Sequence, residues 1–177
     1  MERKTVVEGF ATSRRDLLLA TLLSSLPAAL AEGAAASPLN PAQTIIRPPD
    51  KLEWKSNPAF PEPSVDMCPL FGDINQPGLY YTLVRWWPGF MSAPHTYTSD
   101  RLCVVVSGTW WCNSGADFDP ASCVPVPAGS FVRRVALTPH YDGVIRGHPE
   151  PVIIAICGIG PVNYALSDPS QPGVRRV

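Results

Sequence analysis

From residue 79 onward the apolar runs of this chain are short and closed on both sides by glycine, proline, asparagine or aspartate. That punctuation admits strands and tight turns and leaves no room for a long helix. The runs at 79–87, 101–112, 130–137 and 152–159 are rich in β-branched and aromatic residues, and none carries a helical period. Twenty-one prolines and thirteen glycines in 177 residues point the same way. Regularly spaced short strands imply an all-β sandwich or barrel. With 45% hydrophobic and 16% charged residues the chain suits one compact domain. Fourteen Lys and Arg against fifteen Asp and Glu offer no basic footprint for nucleic acid and no charged tail for a surface partner.

The first 36 residues stand apart. Thr12-Ser13-Arg14-Arg15-Asp16-Leu17-Leu18 resembles a twin-arginine export signal, followed by an apolar run over 17–31 that is short for a bilayer span. Small-residue cleavage options follow at Ala29-Leu30-Ala31 and Ala34-Ala35-Ala36; the alternative is an uncleaved amphipathic anchor. The resemblance implies a periplasmic or secreted protein of residues 37–177, with no stable membrane span after cleavage. Removing residues 1–36 takes away four basic and four acidic side chains, so the formal charge stays at -1. An oxidising compartment would let cysteines pair. Cys112 and Cys123 flank the loop 113–122 between two expected strands and are the favoured disulfide, while Cys103 and Cys157 lie in apolar runs and read as small buried hydrophobes.

Residues 37–65 carry Pro38, Pro41, Pro48, Pro49, Pro58, Pro61 and Pro63. This predicts an extended surface arm attached through Ile45, Ile46, Leu52 and Trp54.

Two spaced patterns sharpen the fold. Gly89, His95, Tyr97, Arg101 and Gly108 fall at the intervals of the first cupin motif, in which a His-x-His pair, a glutamate and two glycines recur. Gly129, Val135, Leu137, His140 and Val144 fall at the offsets of the second, which keeps its histidine. The chain therefore resembles the cupin superfamily. Phrases such as Ser107-Gly108-Thr109, Pro127-Ala128-Gly129-Ser130-Phe131 and Gly158-Ile159-Gly160-Pro161 look like its bacterial single-domain members with degenerate metal motifs. The resemblance implies a double-stranded β-helix, or jelly-roll barrel, over 78–165. An extended arm at 37–77 would precede it and a C-terminal tail at 166–177 would follow.

In metal-binding cupins the motif residues surround a divalent Fe, Mn, Ni, Cu or Zn ion. Carried over by position, His95 and His140 keep their imidazoles, Tyr97 replaces a histidine, and Arg101 stands where the carboxylate belongs. Positions 95, 97 and 101 share parity and would project from one face of an extended segment. Arginine cannot ligate a metal, and tyrosine ligates only as phenolate.

Three functions compete. One is a metal-dependent oxygenase, isomerase or lyase built on His95, His140 and Tyr97. The second is a cradle of Arg101, Tyr97, His95 and His140 for a small anion, probed best by carboxylates. The third is a non-catalytic structural or sensory module, with both histidines as satisfied core or rim residues. Asp100 reads as an exposed acid paired with a basic neighbour, and His148 as a turn residue. Each of Trp86-Trp87 and Trp110-Trp111 should place one indole inward and one outward. Arg133-Arg134 reads as a pair of exposed strand arginines, and a homodimer through edge strands and the arm is expected.

Overall fold

The computed structural model describes residues 44–177. The chain divides into two units, Met1–Ile46 and Arg47–Val177. The expected export signal and cleavage sites lie outside the described residues, as does the start of the arm. Among the described residues no helix is long and apolar enough to cross a membrane.

The second unit is built of thirteen strands: β1 (Lys55–Ser56), β2 (Val65–Phe71), β3 (Gly78–Trp86), β4 (Phe90–Ser92), β5 (His95–Tyr97), β6 (Arg101–Ser107), β7 (Thr109–Ser114), β8 (Val124–Pro127), β9 (Phe131–Arg134), β10 (His140–Val144), β11 (Val152–Gly160), β12 (Tyr164–Leu166) and β13 (Val174–Arg176). One sheet has the order β1-β2-β3-β11-β6-β9; the other runs β12-β5-β10-β4-β13, with β7 pairing β10 and β8. All pairings are antiparallel. The fold is the expected all-β double-stranded β-helix.

Alternation explains which residues fill the space between the sheets. On β6, Arg101, Cys103 and Val105 are buried while Leu102, Val104 and Val106 face out. The inward side chains of β3 and β11, among them Val84, Trp86, Val152, Ile154 and Ile156, meet Phe90, Trp110, Val144 and Val174 from the second sheet in one core. Gly108 closes the β6–β7 turn at φ +74°, and a Cβ there would lie 2.6 Å from the Pro151 carbonyl oxygen, so only glycine fits.

The sheets reach beyond 78–165. β1 and β2 belong to the segment expected as an arm, and β13 to the expected tail. Asp66 on β2 accepts hydrogen bonds from Ser56, Arg85 and Trp87. Burial works to raise its pKa, yet these donors hold the carboxyl below its ordinary value. Trp54, an expected attachment point, lies 4.3 Å from the Arg85 guanidinium and completes the anchor.

The expected Cys112–Cys123 disulfide is corrected: both are buried free thiols. In the β7–β8 ladder the residue opposite Cys112 is Val124, so the register sets Cys123 one position out of line.

Candidate functional site

His95 and Tyr97 stand two residues apart on β5 and so share a face. His140, the first residue of β10, pairs with His95 directly across the ladder. The two imidazole centroids are 4.5 Å apart, and the Tyr97 ring lies 4.9 Å from His95 and 5.6 Å from His140. Tyr164, opposite Tyr97 on β12, extends the cluster at 4.9 Å from His95. Arg101 does not continue the same strand face, as shared parity had implied. The chain crosses to the other sheet after residues 98–100, and the guanidinium returns to the same cavity from β6, 4.2 Å from the Tyr97 ring centroid. The four candidate residues therefore converge, three from one sheet and one from the other.

These side chains line a cavity of about 380 Å³. Each imidazole Nδ1 sits by a backbone carbonyl, at 2.7 Å from Ala93 for His95 and 2.9 Å from Thr138 for His140. A carbonyl only accepts, so Nδ1 carries the proton and Nε2 keeps its lone pair. Neither Nε2 has a hydrogen-bond partner among the described residues. Burial pushes the His95 pKa down to about 4 and lowers that of His140, so both rings are neutral near pH 7. Burial likewise raises the Tyr97 phenol above its usual value, which keeps it protonated.

Arg101 belongs to a row across the first sheet in which Tyr80 pairs Gly158, Gly158 pairs Arg101, and Arg101 pairs Arg134. A Cβ on Gly158 would fall 2.6 Å from the Tyr80 hydroxyl, so glycine there lets the phenol lie over the strand. Two arginines placed directly opposite each other repel unless countered. Arg134 is countered by Asp142 at 3.1 Å, whose other carboxylate oxygen accepts from the Trp110 indole. Arg101 is 7% exposed, has no carboxylate partner among the described residues, and its Nε makes no hydrogen bond.

Asp142, Arg134 and Tyr164 did not emerge from the sequence as site residues. Asp142 shares parity with His140 on β10, a signal available to alternation alone. Arg134 requires correction: Arg133 is exposed as expected and pairs with Asp100, but Arg134 is buried. Trp86 and Trp110 are the inward members of their pairs and line the cavity. Asp100 also accepts from the Ala136 N–H; that bond and Arg133 hold its pKa down, away from the cavity. His148 lies in its turn, with Nδ1 by the Glu150 carbonyl.

The donor set does not fit a divalent cation. His95 and His140 offer two neutral imidazoles, Tyr97 stays a phenol, and Asp142 is committed to Arg134 and Trp110. Among the described residues no three His, Cys, Asp or Glu are grouped to hold a metal. Arg101 sets a permanent cation where the resemblance implies a carboxylate ligand, and it would repel the ion.

No protein-family model matches the chain, and no curated protein does. Solved structures do share its architecture. An uncharacterised conserved protein with a double-stranded β-helix domain from Klebsiella pneumoniae is 16% identical, with 71% of this chain and 98% of that one covered and a TM-score of 0.53. A cupin-2 domain protein of Rhodospirillum rubrum is 16% identical over 75% and 86% of the two chains, TM-score 0.53. The polyketide cyclase RemF of Streptomyces resistomycificus is 14% identical over 72% and 81%, TM-score 0.52. The chain has the cupin fold. At these identities the likeness establishes the architecture and leaves the chemistry to the cavity.

Proposed function

We propose that this protein binds a small anion, a carboxylate, in the barrel cavity, with Arg101 as the anchor. One observation carries the proposal: a permanent cation is buried in a cavity wall with no counter-charge of its own among the described residues. Burying an unpaired guanidinium costs several kcal/mol, a cost that a bound carboxylate offsets through two parallel charge-assisted hydrogen bonds. The Tyr97 hydroxyl adds a further donor to these contacts. Solvent-excluding walls strengthen each of them.

Calorimetric titration of the purified protein with a panel of monocarboxylates tests the proposal, with Arg101→Met in parallel. Wild type should bind at least one carboxylate and the variant should lose at least a hundredfold in affinity, as expected when a charge-assisted bidentate contact is removed. Equal binding by the two proteins overturns it. Export of a mature chain beginning near residue 37 is part of the same proposal and is supported by the Ser13-Arg14-Arg15-Asp16 sequence and the apolar run behind it. N-terminal sequencing of the protein from the exporting compartment checks it.

A further inference from the structure

The cavity combines one charged group, two imidazoles and an extensive apolar lining. Of the charged side chains lining it among the described residues, Arg134 and Asp142 neutralise each other, which leaves the positive charge of Arg101. One uncompensated charge calls for one negative charge on the ligand, since a second would have to be buried unpaired. The polar end is deep, with His95 and His140 each 3% exposed. The less buried lining includes the apolar side chains of Phe60, Met67 and Ile74, beside the exposed amides of Asn57 and Asn75. A ligand held by its charge at Arg101 has an apolar wall in Phe60, Met67 and Ile74 for its body.

The imidazoles add a second requirement. Each presents a lone pair at Nε2, because each Nδ1 proton is used by a backbone carbonyl. A carboxylate oxygen is also an acceptor and gains nothing from an Nε2 lone pair, whereas a hydroxyl donates to it. A cavity of about 380 Å³ holds about a dozen non-hydrogen atoms if each takes the ~30 Å³ of a water molecule.

Resting on the anion-binding proposal above, we infer that the ligand is a monoanionic hydroxycarboxylate with an apolar body, its carboxylate on Arg101 and its hydroxyl donating to the His95–His140 pair. The hydroxyl distinguishes this ligand from a plain fatty or aromatic acid, and the apolar body distinguishes it from a sugar acid or a dicarboxylate.

Four probes separate the parts in titrations of wild-type protein: 3-phenyllactate, 3-phenylpropanoate, the methyl ester of 3-phenyllactate, and malate. 3-Phenyllactate should bind at least tenfold more tightly than 3-phenylpropanoate, because only it can donate a hydrogen bond to the imidazole lone pairs. The ester, without charge, and malate, with two charges and no apolar body, should each bind at least tenfold more weakly than 3-phenyllactate. His140→Phe should reduce the ratio of 3-phenyllactate to 3-phenylpropanoate affinity, because one of the two acceptors is gone. The comparison among ligands on wild type stands whether or not that variant folds. Equal affinity for the hydroxy acid and its deoxy partner, both lost in Arg101→Met, overturns the hydroxyl assignment and leaves the anion site intact. Preference for malate overturns the monoanion assignment. Failure of every carboxylate to bind removes the anion site itself, and this inference with it.

Discussion

Replacing Arg101 by methionine separates the cost of burying a charge from its use. The guanidinium is 7% exposed and has no carboxylate partner among the described residues, so the folded protein carries a desolvation penalty of several kcal/mol that no ion pair offsets. Its face-on contact with the Tyr97 ring, at 4.2 Å, returns about 2 kcal/mol in a desolvated setting. Methionine keeps an unbranched apolar stem of similar reach and removes the charge. The ligand-free variant should therefore be more stable than wild type by about 2 kcal/mol. For a folded unit of this length, Arg47–Val177, that is a rise in Tm of about 8 °C. Differential scanning calorimetry on exhaustively dialysed protein, with chemical denaturation as a second probe, reads the difference. A carboxylate that binds wild type should raise its Tm and leave that of the variant unmoved. A variant less stable than wild type by 2 kcal/mol or more would refute the reasoning, because it would mean that the charge is paired within the fold.

Four further outcomes follow from the geometry. Gly158→Ala should cost about 1–3 kcal/mol by overpacking against the Tyr80 ring, with Tyr80→Ala restoring part of it in a double-mutant cycle; an additive cycle would contradict the contact. His95 is held neutral in the fold down to about pH 4, whereas the unfolded chain takes up its proton near pH 6.5. Its contribution is thus complete above pH 6.5 and falls by about 3 kcal/mol between there and pH 4, with His140 acting in the same direction; denaturant titrations across that window should show the decline. Arg101→Glu replaces the repelling cation with a third metal donor, and elemental analysis after exposure to zinc or manganese should find metal in the variant at several times the wild-type content. The outer face of the first sheet exposes Leu79, Leu102, Val104, Val106, Phe131 and Ile159, more than a scatter of single apolar residues. Light scattering should report a dimer that Val104→Lys dissociates, and a monomer at high concentration would remove that expectation.

The strands were legible because glycine and proline mark their ends and alternation marks their faces. The convergence of His95, Tyr97 and His140 followed from two spacings read against a known fold. The path of Arg101 was not legible: parity assumes a continuous strand, and the chain changes sheets between Tyr97 and Arg101. Arg134 and Asp142 escaped for a related reason. Each is explained by the other across two sheets, and no local pattern distinguishes a strand arginine with a buried partner from one in water. The Cys112–Cys123 expectation failed on register, which loop length does not determine.

Anomalous diffraction from crystals soaked with a brominated hydroxybenzoate is the most direct test of the cavity's role. The carboxylate should sit on the Arg101 guanidinium, the hydroxyl within hydrogen-bond distance of an imidazole Nε2, and the bromine peak toward Phe60, Met67 and Ile74. A cavity free of the compound at saturating concentration, or a bromine peak at the histidine end with the carboxylate away from Arg101, would contradict it.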